Sequence, residues 1–161
     1  MNTDVTRTAA FEAVAILKAR YFRLMDLKRW DDWQDLYAPD AVMDMRGEAQ
    51  AMASLGVDVG DGEAWLIRSP AVIRQSVEGA LTGVTTVHHG HMAEMEMVGP
   101  DRVTAIWAME DVIRYPEGWP LAGFNGYGHY HDSYVFVNGR WLIESVTLKR
   151  LLIQPVAKAA G

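Results

Sequence analysis

The sequence predicts an α+β fold, with helices in the first third and antiparallel strands filling the last half. Three observations predict it. Apolar residues recur at three- and four-residue steps early in the chain. The pattern turns strand-like after Gly83. Turn signals then cut the second half into long β-rich runs.

In the first helix, Phe11, Val14, Leu17, Tyr21, Leu24 and Met25 make one apolar stripe. A second helical segment is expected in "RWDDWQDLYAPD". There Trp30, Trp33, Leu36 and Tyr37 share a face and Pro39 ends the element. Ala41 to Met45 reads as a short strand. Residues 46 to 68 hold Gly47, Gly56, Gly60 and Gly62 with little periodicity and read as a loop, a candidate lid. "SPAVIRQSVEGAL" reads as a third helix. Ser69 would cap it, Pro70 would stand at its first position, and Val72, Ile73 and Val77 would face inward.

The β-rich runs are Val84 to Val98, Arg102 to Tyr115 and Gly123 to Ile153. Asn138-Gly139 splits the last of them as a two-residue hairpin. The tail "PVAKAAG" is expected to be loose. Val103, Ala105, Trp107 and Met109 fall on one face of the middle run, and Ile106, Ala108 and Val112 on the other. One face would cover the helices; the other would need a ligand or a second subunit.

The 161 residues suit a single domain, 1–161. The chain has no cysteine, so disulfides, thiolate catalysis and Cys-ligated zinc are excluded. Its net charge is −6 and its fifteen Lys and Arg are scattered, so a nucleic-acid partner is not expected. No apolar run reaches the roughly 20 residues of a membrane span. The start "MNTDVTRTAAFEAV" lacks the basic and apolar blocks of a signal peptide, so a cytoplasmic location is expected.

Three of the five histidines crowd into "VHHGHM", as His88, His89 and His91. The other two are His129 and His131. His89-Gly-His91 followed by Glu96 has the HxH(x)4E spacing of the first metal motif of cupins. No second cupin motif is recognisable, and a helical first third does not suit that fold. Plain surface or core histidine is a second reading. Acid–base chemistry is a third, since imidazole titrates near neutrality and works best beside a carboxylate that fixes its tautomer. Asp26 is the carboxylate marked by position. It closes the apolar stripe of the first helix, at the end where the helix dipole disfavours an acid.

"LKARYFRLMDLKRWDDWQDLY", "VHHGHMAEMEM", "AIWAMEDVIRY" and "GYGHYHDSYVFVNGRWLIESVTLKRL" together resemble the SnoaL-like branch of the nuclear-transport-factor-2-like (NTF2-like) superfamily. The resemblance spans nearly the whole chain, weakest across 46 to 68. It implies a cone-shaped α+β barrel: a curved antiparallel sheet packed on N-terminal helices around a deep apolar pocket. Within the branch the chain resembles bile-acid dehydratase and, more distantly, scytalone dehydratase. Both are lyases that work without a cofactor or metal.

That resemblance implies His88 as the general base, taking a proton from carbon and returning it to the leaving oxygen. Asp26 would orient it. Tyr21 would donate a hydrogen bond to the substrate, and Arg150 would stabilise enolate charge or anchor an acidic group. His91, Trp107, His129 and Tyr130 are expected to bind substrate, with a bulge at Gly90 turning the strand. His89 alternates away, and Glu144 shares a strand face with Arg150. The implied reaction is loss of water or a small carbonyl fragment from a bulky apolar oxygenated substrate, either steroid-like or a lignin-derived aromatic. A ketosteroid-type isomerase and a non-catalytic binding subunit, such as a dioxygenase β subunit, are the alternatives. The branch also implies a homo-oligomer, with a trimer favoured.

Overall fold

A computed structural model describes residues 3–158, with side chains from residue 6 onward. The elements run α1 (Thr3–Asp26), α2 (Trp30–Gln34), β1 (Tyr37–Asp44), α3 (Arg46–Ser54), β2 (Leu66–Arg68), α4 (Pro70–Leu81), β3 (Thr85–Gly99), β4 (Arg102–Arg114), β5 (Gly123–Val137) and β6 (Arg140–Val156). One 3-10 turn, Gly62–Trp65, leads into β2.

The apolar stripe of α1 does what its spacing predicts. Val14, Leu17, Tyr21, Leu24 and Met25 are buried, and Phe11 packs at their margin. The helix stops because Lys28 turns left-handed at φ 57°, a conformation that usually falls to Gly. The Lys28 and Arg29 amides close back on the Met25 and Leu24 carbonyls. Asp26 is thereby fixed as the last helical residue.

Strands β3 to β6 form the expected antiparallel meander, and Asn138 and Gly139 both take positive φ in its last hairpin. Along β4 the alternation is regular. Val103, Ala105, Trp107 and Met109 are buried, while Ile106, Ala108 and Val112 lie on the half-exposed outer face. The strand order is β2-β1-β6-β5-β4-β3. Helix α1 packs against β3, β4 and β6 inside the curve of this sheet. The curved sheet packed on the N-terminal helix is the expected α+β arrangement, and two features particularise it. β1 runs parallel to β6, and the sheet stays open, with β2 and β3 as its edges.

Departures from the expected elements have local causes. Residues 46 to 68 are built rather than loop-like: they hold α3, the 3-10 turn and β2, which pairs with β1. Their short elements lack the period a long helix or strand would print. Pro39 ends no helix. It lies in β1 where the pairing with β6 is interrupted, the kind of position that tolerates a missing N–H. Ser69 does not cap α4 through its side chain. Its backbone turns to φ 70°, and its carbonyl accepts the first helical bond, from the Ile73 amide. Pro70 begins α4 as expected; Ile73 is buried, but Val72 is exposed. The tail is ordered as far as Val156 in β6, and residues 159–161 lie outside the described residues.

Candidate active site

The end of α1 and the start of β3 meet at Asp26. Its Oδ1 accepts from the His88 ring, with Nδ1 at 2.6 Å, and from the Thr86 hydroxyl at 2.8 Å. Its Oδ2 accepts from the His88 backbone amide at 2.9 Å. Lys28 Nζ donates to the Thr86 oxygen at 2.8 Å and so sets the direction of that hydroxyl's own hydrogen. Burial acts to raise the Asp26 carboxyl, but the bonds from His88 and Thr86 outweigh it and hold Asp26 below the ordinary range.

An ionised carboxylate can only accept, so Nδ1 carries the hydrogen, and in the neutral imidazole it is Nε2 that keeps the lone pair. Only 6% of the His88 side chain is exposed. The Phe22 ring lies nearly parallel to it, at 9° and 6.2 Å between centroids. Gly90 makes that packing possible: a Cβ there would fall 2.5 Å from Phe22 Cε2.

His88 forms part of the wall of a cavity of about 360 Å³. Most of the wall is apolar: Met25, Met43, Met45, Met52, Trp65 and Leu148 contribute. Helix α4 adds Val77 and Leu81, so the segment read as a loop and the helix after it together close one side. Tyr21 and Tyr130 also line the space, their rings 6.1 Å apart. Burial pushes both hydroxyls up, which keeps them neutral donors.

Arg150 reaches the same cavity, but not as a free cation. Arg150 continues the inward alternation of Val146 and Leu148 on β6, and its side chain is buried, 6% exposed. Asp111 grips the guanidinium with both oxygens, at 3.0 Å from Nη1 and 2.6 Å from Nη2. The remaining Nε donates to Glu48 of α3. Gly126 leaves room for the cluster: a Cβ there would sit 2.2 Å from Nη1 and 2.4 Å from Asp111 Oδ1. Arg150 therefore has no vacant charge with which to anchor an acid. Glu144, its expected neighbour, pairs instead with Arg102 at 2.9 Å.

Of the eight predicted site residues, His88, Tyr21, Arg150 and Tyr130 line the cavity, and Asp26 stands behind His88. Three do not reach it. His91 is exposed on β3. The bulge near Gly90 exists, since three residues of β3 span two of β4 there, but it leaves His91 in solvent. His129 lies on the outer sheet face, its ring 6.5 Å from that of His131. Trp107 is buried in the core, where its Nε1 donates to the Tyr134 hydroxyl at 3.1 Å. That hydroxyl donates to Asp132, which pairs with the buried Lys18 at 2.8 Å. Trp107 thus belongs to an internal polar network, not to the cavity.

Glu48, Asp111, Thr86 and Lys28 were missed. Asp111 had a signal, since it continues the inward series that ends in Met109. Glu48 had none, because the helix that carries it was invisible to periodicity.

A curved sheet around one long helix is the NTF2-like fold, and here the wall of its cavity carries a His–Asp pair. The chain belongs to the SnoaL-like domain family, which it matches over residues 6–147. It is similar to a protein of Gibberella zeae assigned as a cyclase, with 29% identity across 87% of this chain and 92% of the relative. Among solved structures it is similar to a protein of Novosphingobium aromaticivorans assigned as a scytalone dehydratase. That match has a TM-score of 0.76 and 17% identity, over 99% and 95% of the two chains. A hexachlorocyclohexane dehydrochlorinase of Novosphingobium barchaimii gives a TM-score of 0.75 and 17% identity, over 98% and 97%. At these identities the structures establish the shared fold.

Proposed function

We propose that this protein is a lyase, independent of any cofactor, that acts on a bulky, apolar, neutral oxygenated molecule. The carrying observation is the Asp26–His88 pair. Asp26 binds Nδ1 and leaves a basic Nε2 on a ring that walls an apolar cavity. The reaction begins when Nε2 removes a proton from a carbon made acidic by a neighbouring carbonyl or aryl group. Asp26 stabilises the imidazolium that results. Tyr21 and Tyr130 offer neutral hydroxyls to the oxygen on which negative charge grows. Expulsion of water or a small carbonyl fragment completes the cycle, and in the simplest form the imidazolium returns its proton to the departing oxygen.

The methionine-rich wall supports an apolar substrate of irregular outline. The saturated Arg150 supports a neutral one, whether steroid-like or a lignin-derived aromatic. The cyclase assignment of the Gibberella relative favours a second reading, in which proton removal leads to ring closure or isomerisation without loss of mass. Mass spectrometry on a panel of neutral aryl and steroidal β-hydroxyketones separates the two. The lyase reading expects a product lighter by water or formaldehyde, and no such product with His88→Ala. Turnover that survives His88→Ala would sink both.

A further inference from the structure

We propose that Glu48 is the general acid of this site, holding the proton that the departing oxygen takes while His88 receives the proton from carbon. The proposal rests on the lyase reading above and refines its second half.

The first ground is placement. Glu48 is buried, and it walls the cavity from α3 while His88 walls it from β3. Two proton-transfer groups on different elements can serve the two ends of one elimination.

The second ground is charge. Glu48, Arg150 and Asp111 are all buried and joined by hydrogen bonds. Two ionised carboxylates against one guanidinium would leave a net negative charge out of water, which is costly. One proton removes that cost. Asp111 occupies both terminal nitrogens of the guanidinium, whereas Glu48 has only Nε. The proton therefore belongs on Glu48. A protonated Glu48 still accepts from Nε through Oε2 and carries its hydrogen on Oε1.

The charged and titratable groups that face Glu48 are Arg150 from β6, Asp111 from β4, His88 from β3 and Tyr115 beyond the end of β4. Burial drives the Glu48 carboxyl up. Arg150 opposes that shift, and the charge of Asp111 reinforces it.

The step balances. His88 Nε2 takes the proton, and the C–H electron pair becomes the new C=C bond. The C–O bond breaks with its electrons on oxygen, which takes the Glu48 proton and leaves as water. Imidazolium and carboxylate remain, and proton exchange through solvent on product release restores both.

Glu48→Gln keeps the acceptor for Arg150 Nε and removes the acid. Two probes separate the roles: 4-hydroxy-4-phenylbutan-2-one, which must expel water, and its acetate ester, whose leaving group needs no proton. Both give the same conjugated enone, read by absorbance. Glu48→Gln should slow loss of water by roughly 10²- to 10³-fold and loss of acetate by less than about threefold. His88→Ala should slow both. Equal slowing of both probes by Glu48→Gln, or slowing of neither, overturns the acid role and leaves His88 standing. Full activity of His88→Ala overturns the lyase reading itself. Infrared spectra at about pH 7 give an independent check. The wild type should show a carboxylic-acid carbonyl band that Glu48→Gln abolishes, and its absence from the wild type overturns the proposal.

Discussion

Two histidine–carboxylate pairs sit back to back on β3, and only one is buried and held by further hydrogen bonds. His88 faces inward to Asp26 at 2.6 Å, and its side chain is 6% exposed. His89 faces outward to Glu110 at 3.2 Å, and its side chain is 55% exposed. The residue types are the same and the positions are adjacent. The difference is supply and surroundings. Asp26 is held by a helix end, a hydroxyl and a backbone amide, so it fixes the ring and its tautomer. Glu110 has water as a competitor, and an exposed pair of this kind contributes ~0–1 kcal/mol. A histidine beside an acid is not a dyad until the acid is itself held.

The largest way to break this contrast is at the rings. His88→Ala should lower turnover roughly 10³- to 10⁴-fold, while His89→Ala stays within about twofold, measured as kcat/KM on one substrate. A comparable loss from His89→Ala would remove the contrast.

Next is the carboxylate. Asp26→Asn keeps the shape but favours the wrong tautomer, and should cost roughly 10²- to 10³-fold in kcat with a smaller change in KM. Glu110→Gln should leave kcat unchanged. Stability gives a second reading of the same variant. The carboxyl of Asp26 lies below its ordinary value in the folded state. Its contribution is therefore present above the unfolded value near pH 4, and is lost as pH falls through the folded one. Denaturant melts should show wild type more stable than Asp26→Asn at neutral pH, with the gap closing on the acid side.

The smallest effect concerns support. Gly90→Ala drives a methyl against Phe22, the ring stacked on His88. A loss of about 1–3 kcal/mol in melting experiments is expected, together with a kcat defect from the displaced ring. Adding Phe22→Leu should recover part of the stability but not the kcat. Full recovery of both would show that Phe22 merely fills space.

Much of this was legible in the sequence. The periodicity of Val14, Leu17 and Tyr21 marks α1, and the alternation through Val103 to Met109 marks β4. Asp26 stood out by its place at the end of a stripe. What stayed hidden depends on contacts between distant segments. Nothing around Arg150 in sequence announces Glu48 and Asp111, 102 and 39 positions away. The resemblance supplied the residue, and the fold supplied partners that change its job from anchor to clamp. His91 and His129 were misplaced for simpler reasons. His91 falls inside the bulge between Gly90 and Ala93 and lies in solvent. His129 alternates with the buried Tyr130 on β5, so those two cannot share a face.

The bulge in β3 has a consequence of its own. From Gly90 to Ala93 the strand uses three residues where β4 uses two. Thr86 and His88 face in before it, and Ala93, Met95 and Met97 pack on the core after it. The strand is thus read in two frames, one facing the cavity and the other the core. Met92 is 94% exposed, so its side chain is free to change. Its position is not free to disappear. Removing one residue there would merge the frames and turn one half over, taking either His88 from Asp26 or the methionines from the core.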